Sequence, residues 1–573
     1  MTTAPSPAPA LPPVVDTGAA PADGISRRLA FVTLVVGLAL VTAARWNMLA
    51  VPFERDEGEY AVMAQTILRG ELPYVAAYNM KLPGVYYSYA AIFTLFGRTD
   101  FDVHLALLVM TTLSAVGIAW LGYRLISPWG AAVAAVSFAA LSASERVYGF
   151  TANAEHFVVF WFVAALVLGA WATTGPAPGA PCVRAPRAGF LALFGCGVCL
   201  GLSLLMKQHA LFLILFAVLW AAGRVVNDWR SPSLRNRRVV EGLLIAVGIL
   251  LPYLLVVGYF AARGGLDRFW FWTVVYARHY VSEQTFAKGA KYLWNTTTHL
   301  GVSAWPVFVL ALCGAIESLF PRRPALVRFG WVVFLICSLL TVVPGLLFRE
   351  HYFLMTLPAL GLLAGKGAEA IAVPLSRRCF RASPPGTSRP VVVTGVGLLA
   401  IAYVILVETP VWMLPPIGLS RYAFGQNPFP EAISIAREIE RRTTRDDSII
   451  VIGSEPQIYF YANRKPATGY LYTFPLMETH PYAAAMHEEF IRDLEQRRPT
   501  YVVLVLLKTS WLASRASRTD LLTWTDTRLP ALYTLVGAAN VPPSGQAHDF
   551  YWDNPELARL SHSDFPLQIW KRK

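Results

Sequence analysis

The chain has 573 residues, 55% of them hydrophobic and only 15% charged, which is more apolar surface than a soluble protein of this length hides in its core. A bilayer is therefore its solvent. The formal net charge of +13 does not indicate nucleic acid, because most Lys and Arg sit in short linkers between apolar runs, the distribution that sets membrane topology.

Residues 1–28, rich in Ala and Pro and free of any apolar run, read as a disordered cytoplasmic tail rather than a signal peptide. Runs long enough to cross ~30 Å of hydrocarbon follow near 29–50, 103–123, 129–147, 156–173, 188–206, 209–223, 240–262, 300–320, 329–348, 352–373 and 391–411. The runs 129–147 and 209–223 are the short ones. Assigned alternately, they place the linkers holding Arg27 and Arg28, Arg124, Arg184 and Arg187, Arg224 to Arg238, Arg322 to Arg328, and Arg377 to Arg389 on one side. These linkers are basic and almost free of acids, so the positive-inside rule puts them and the N-terminus in the cytoplasm. Segments 51–102, 145–155, 207–209, 263–299, 349–351 and everything after 412 then share the external face.

The stretch Leu82–Phe96 is too short for a span and opens with Pro83, Gly84 and a tyrosine cluster, so it reads as an interfacial helix. Counting it as a span would place most arginines outside. After 412 the composition changes: Glu431–Arg442 and Tyr482–Arg497 read as helices, Ser448–Ile452 and Tyr501–Leu507 as strands. The expected fold is a multi-pass α-helical membrane protein of about 11 spans, and up to 13, over residues 29–411, with interfacial helices in the first external loop 51–102 and a soluble external α/β domain over 412–573. Cys196 and Cys199 lie in an apolar run between glycines and read as helix packing, not as a metal pair.

The segment Phe53–Gly84 carries the chemistry. Glu54, Asp56, Glu57 and Glu59 crowd beside a spanning helix, where charge is costly. Asp56 could cap a helix over 57–69 with Glu59 closing a capping box. Capping leaves Lys81, in Lys81-Leu82-Pro83-Gly84, without a purpose, although it brings a cation to the same surface. A carboxylate facing a cation suits a reaction between a phosphate-linked lipid and a hydroxyl.

Asp56-Glu57 followed by a helix containing Tyr60, then Arg69-Gly70-Glu71-Leu72-Pro73-Tyr74 and Lys81-Leu82-Pro83-Gly84, resembles the first external loop of the C-type membrane glycosyltransferases, nearest to bacterial relatives of the protein O-mannosyltransferases and the lipid A aminoarabinose transferases. The likeness is specific over residues 29–175 and looser beyond. It implies an enzyme of the bacterial inner membrane and cell envelope that moves a sugar from a polyprenyl-phosphate donor to a lipid, glycan or protein hydroxyl, inverting the anomeric centre. In this family the loop Asp is the catalytic base, which falls on Asp56, and the loop Lys contacts the donor phosphate, which falls on Lys81. Where the family often has Lys-Pro-Pro, this chain has Lys81-Leu82-Pro83. The family's second external acid falls on Glu155, in Ser144–Glu155, for which helix initiation capped by Asn153 is the alternative.

Lys207, Arg278 and Arg349 are further candidates for the donor phosphate, since fixed cations stabilise the charge on a leaving phosphate. Headgroup binding and snorkelling compete with that role. Glu57, Tyr60, His351 and Tyr352 are supporting residues. No cofactor is specified; a divalent metal is left open, with Glu155, His279 and His351 as candidate ligands but no compact spacing. Arg55 or Lys81 is expected to offset the repulsion Asp56 meets from its acidic neighbours. The rival classes are a lipid-linked sugar flippase, which would favour ionisable groups in mid-span, and a membrane scaffold of a glycopolymer assembly system, which needs neither clustered acids nor many spans.

Overall fold

The computed structural model describes residues 24–174, 186–281, 284–321, 324–379, 388–543, 548–554, 556–557 and 564–573. Residues 1–23 of the expected tail lie outside these, as do Arg184, Arg322 and the 380–387 linker, while residues 24–28 already belong to the helix Gly24–Trp46.

Among the described residues nine helical stretches are long and apolar enough to cross a membrane, and two shorter apolar helices, Pro128–Ser142 and Ala325–Leu340, pack in the same bundle. They match the eleven expected runs one for one. The lengths differ from expectation at two places. The run near 209–223 is not short, because the turn Gln208–Ala210 leads directly into Leu211–Asn227 and completes a 20-residue stretch. The short helix is Ala325–Leu340, which stops before Pro344 and Gly345, where the backbone turns left-handed at φ 74°. The loop 263–299 also holds more helix than expected: Leu266–Trp270, a π-helical turn Phe271–Tyr276, and the first turns of Phe286–Leu319, which Thr285 caps by accepting from the Lys288 N–H. The helix Gly84–Leu95 has 12 residues; at about 18 Å it is too short to span the hydrocarbon.

Segments from distant parts of the chain meet at one end of the bundle. The Ala152 N–H donates to Glu57 at 2.6 Å, the Gln208 amide donates to the Met80 carbonyl at 3.0 Å, and His351 lies 3.7 Å from Glu155. Tyr276 donates to Glu478 there as well. At the Arg224–Glu241 end, Arg224, Arg237 and Arg238 surround the buried Glu241, each about 3.0 Å away.

The C-terminal region folds as helices over a six-stranded sheet ordered β2-β1-β3-β6-β4-β5, where β1 is Ser448–Ile452, β2 Lys465–Pro466, β3 Tyr501–Val505, β4 Tyr533–Ala539, β5 Phe550–Trp552 and β6 Leu567–Arg572. Strands β1 and β3 fall on the two β-branched runs and pair in parallel, Ile449 opposite Tyr501. Apart from the half-buried Ser448 that opens β1, their residues are apolar and buried, the pattern of a strand covered on two faces. The antiparallel half, β6 with β3 and β4, and β4 with β5, had no comparable signal: β4 carries Gly537 and two alanines, and β6 ends in Lys571 and Arg572.

Candidate active site

The helix Arg55–Leu68 begins two residues earlier than the capping reading expects. Glu54, not Asp56, is its N-cap, and Glu54 and Glu57 close the capping box by accepting from each other's backbone N–H at 3.3 Å. Glu59 takes no part in it. Asp56 and Glu59, three residues apart, therefore share one face of the helix, while Glu57 turns into the bundle. There it accepts from the Ala152 N–H and meets His104 Nε2 at 2.8 Å. The other ring nitrogen of His104 lies 3.1 Å from the Leu49 carbonyl. Both nitrogens face acceptors, so an imidazolium satisfies both.

Lys81 closes the face that Asp56 and Glu59 present. Its Nζ lies 2.9 Å from Asp56 Oδ1, 2.7 Å from Glu59 Oε2 and 4.5 Å from the centre of the Tyr60 ring. The loop holds it there through Tyr74, whose hydroxyl donates to the Lys81 carbonyl at 2.7 Å, and through Asn79, whose side-chain oxygen accepts from the Lys81 N–H. Gly84 lets the loop close onto the end of Pro186–Met206, since a Cβ there would stand 2.6 Å from the Leu205 backbone. Glu59 is fully buried and also accepts from Tyr86 at 2.7 Å. Asp56 is the open acid: 31% of its side chain is exposed, against none for Glu57 and Glu59. An ammonium has three N–H donors, so Lys81 keeps one after serving both carboxylates.

A second ion pair stands beside the first. Lys207 pairs with the fully buried Glu155 and lies 3.9 Å from the centre of the Tyr352 ring. Asn153 occupies the N-cap position of Ala154–Thr173, but its side chain makes no capping bond; its amide donates to Thr151. Glu155 Oε2 and His351 Nδ1 are buried with no protein partner among the described residues. Arg349 sits at the N-cap of the 3-10 helix Glu350–Thr356, where its charge acts on Tyr148 and Tyr352. Arg278 is exposed, on the short helix Ala277–Val281 whose neighbour His279 packs on Tyr482 of the C-terminal domain. Of the metal candidates, Glu155 and His351 come together and His279 faces Tyr482; among the described residues no group of three or more His, Cys, Asp or Glu is arranged to hold a metal ion.

The electrostatics favour an ionised Asp56. Burial alone would raise its carboxyl, but the charge of Lys81 and then those of His351 and Lys207 outweigh burial and hold it well below the ordinary range. Burial also opposes the charge on Lys81, and Asp56 and Glu59 reverse that, pushing the ammonium well above its usual range. Burial raises Glu59, with the charge of Asp56 adding to it against the pull of Lys81.

Arg55 does not offset the acids as expected. It turns to the C-terminal domain, donating to the Ser454 carbonyl and Asn427 at 2.8 Å and pairing with the buried Glu455 at 2.8 Å. That domain grips the loop elsewhere too: the Phe53 N–H donates to the Tyr461 hydroxyl, and Tyr78 bonds Gly469. Tyr472 reaches the acids themselves, its hydroxyl 3.3 Å from Asp56 Oδ1 and 3.3 Å from Glu59 Oε2. Tyr472, Tyr86 and His104 are site residues the sequence reading missed. Tyr86 stood in a visible tyrosine cluster; the partners of the other two are set only by the fold.

No family model and no curated protein matches the sequence. Solved structures do match in fold. ArnT from Cupriavidus metallidurans bound to undecaprenyl phosphate aligns at 14% identity and a TM-score of 0.58 over 92% of this chain and 98% of that one. Its apo structure aligns with a TM-score of 0.56. The archaeal oligosaccharyltransferase AglB from Archaeoglobus fulgidus, in complex with an inhibitory peptide and a dolichol-phosphate, aligns at 14% identity and a TM-score of 0.52 over 93% of this chain and 75% of that one. The chain shares the fold of these proteins.

Proposed function

We propose that this chain is an inverting glycosyltransferase that moves a sugar from a polyprenyl-phosphate donor to a hydroxyl acceptor. The observation that carries the reading is Asp56, partly open and 2.9 Å from Lys81, in a fold shared with a protein solved with undecaprenyl phosphate bound. Asp56 takes the proton of the acceptor hydroxyl as its oxygen bonds to the anomeric carbon. The bond from that carbon to the phosphate oxygen breaks, and its electron pair leaves with the polyprenyl phosphate. Lys81 uses its remaining N–H on that phosphate, and Lys207 and Arg349 add positive charge nearby. Backside displacement inverts the anomeric centre.

The N-terminus is placed in the cytoplasm, and the acidic cluster with the C-terminal domain on the external face, by the bias of Lys and Arg in the linkers. The membrane is the bacterial inner membrane on this reading. Protein purified in detergent and given undecaprenyl-phosphate sugars with candidate acceptors should release undecaprenyl phosphate only when an acceptor is present. Release by Asp56→Asn at the unmodified rate would remove Asp56 as the base.

A further inference from the structure

We propose that Tyr472, supplied by the C-terminal α/β domain, is a positioning residue for Asp56, so that the base is held for reaction only while that domain is docked on the first loop. The claim rests on the reading of Asp56 as base given above. The phenol oxygen lies 3.0 Å from the Arg55 carbonyl and 3.3 Å from a carboxylate oxygen of both Asp56 and Glu59. Lys81 touches the same two carboxylates from the loop. Both donors meet the same oxygen, Asp56 Oδ1, and the single phenol proton is shared between that oxygen, Glu59 Oε2 and the Arg55 carbonyl. An oxygen met from two directions keeps its place, so the carboxylate does not turn about its terminal bond.

The domain is built to present this hydroxyl. Tyr472 follows Gly469, whose carbonyl accepts from the Tyr78 N–H at 2.7 Å, and precedes Thr473, which bonds Ser454 at 3.1 Å and the Ser510 carbonyl at 3.0 Å. Gly453 and Ser454 come directly after β1, at the carboxyl end of the parallel strands, the end where open α/β sheets place their functional groups. The ring is buried and stacks on Phe474 at 5.5 Å. Docking itself does not need the hydroxyl, because Arg55–Glu455, Phe53–Tyr461 and Lys465–Glu71 already join the two parts. Burial, and then the charges of Glu59, Asp56 and Glu54, push the phenol well above its ordinary range, so it stays a donor wherever Asp56 is ionised.

The test uses the full-length protein in nanodiscs and two readouts. The first needs no turnover: a water-soluble carbodiimide, which activates protonated carboxyls, is applied at about pH 5, and the rate of Asp56 labelling, proportional to its protonated fraction, is followed by peptide mass spectrometry. Tyr472→Phe keeps the ring stack and removes one oxygen; it should raise that rate about threefold, since a donor to the ionised form is lost. Tyr470→Phe, which removes a hydroxyl bonded to Glu489 at 2.7 Å in the same segment, should leave the rate in place. The second readout is release of undecaprenyl phosphate from undecaprenyl-phosphate sugars, where Tyr472→Phe should lower kcat about tenfold with KM for the donor within about twofold. An unchanged labelling rate in Tyr472→Phe, or an equal rise in Tyr470→Phe, overturns the proposal. A wild-type protein that releases nothing from any donor overturns the glycosyltransferase reading instead, and the labelling still decides the role of Tyr472.

Discussion

Lys81 and Asp56 approach to 2.9 Å across the mouth of the site, and the same ammonium reaches Glu59 at 2.7 Å behind it. One cation thus serves an open carboxylate and a buried one, which separates the tasks of two acids that differ by a single methylene.

Replacing Asp56 by Asn keeps the shape and the bond to Tyr472 but removes the proton acceptor. Transfer should fall by about 10²–10⁴-fold, while binding of undecaprenyl phosphate, followed by native mass spectrometry, stays intact. Loss of binding together with transfer would point to a structural role.

The depressed carboxyl of Asp56 has a sign that thermal melts can read. Its folded pKa lies below its unfolded value of about 4, so its contribution to stability is complete above that value and is lost as pH falls through the folded one. The difference in Tm between wild type and Asp56→Asn should therefore be flat from neutral pH down to about pH 5 and narrow below pH 4. A difference that grows on acidification contradicts the Lys81 pairing.

Removing Lys81 leaves Asp56 and the fully buried Glu59 facing each other. Lys81→Met should cost about 3–5 kcal/mol, the scale for breaking a buried pair. Adding Glu59→Gln should return much of that stability without restoring undecaprenyl phosphate binding. Denaturant melts and a binding assay on the single and double variants separate the two roles.

Gly58 tests the docking of the C-terminal domain. Alanine normally favours a helix over glycine by about 1 kcal/mol, yet a Cβ here would stand 2.6 Å from the Gln457 backbone nitrogen. Gly58→Ala should destabilise by about 1–3 kcal/mol and speed proteolytic cutting between the helix bundle and the C-terminal domain. Slower cutting would show that the two surfaces are not in contact.

Glu155 and Lys207 form the second pair, and their coupling is measurable. A double-mutant cycle with Glu155→Gln and Lys207→Met on thermal stability should give an interaction of about 1–3 kcal/mol. Additive effects would mean that the pair contributes no joint stabilisation.

Much of the fold was legible because its causes are local. Hydrocarbon thickness sets run length, and the arginines between the runs mark one end of the bundle; both can be counted along the chain. Asp56 and Lys81 were readable as a pair because they flank one loop. The alternative in which Asp56 caps its helix fails for a physical reason: Glu54 and Asp56 are both able to cap, and in the fold Glu54 takes the cap while Asp56 pairs with Lys81. Arg55 was likewise undecidable, since its partner Glu455 lies 400 positions along the chain.

Composition and spacing by themselves determined a polytopic membrane chain with an acidic first loop and an α/β tail, because burial cost and helix length act residue by residue. The tertiary structure alone decided which acid stays open and which cations reach it. It also decided that the tail closes over the loop through Tyr472 and Arg55, because hydrogen bonds and ion pairs between distant segments depend on distances that no local preference encodes.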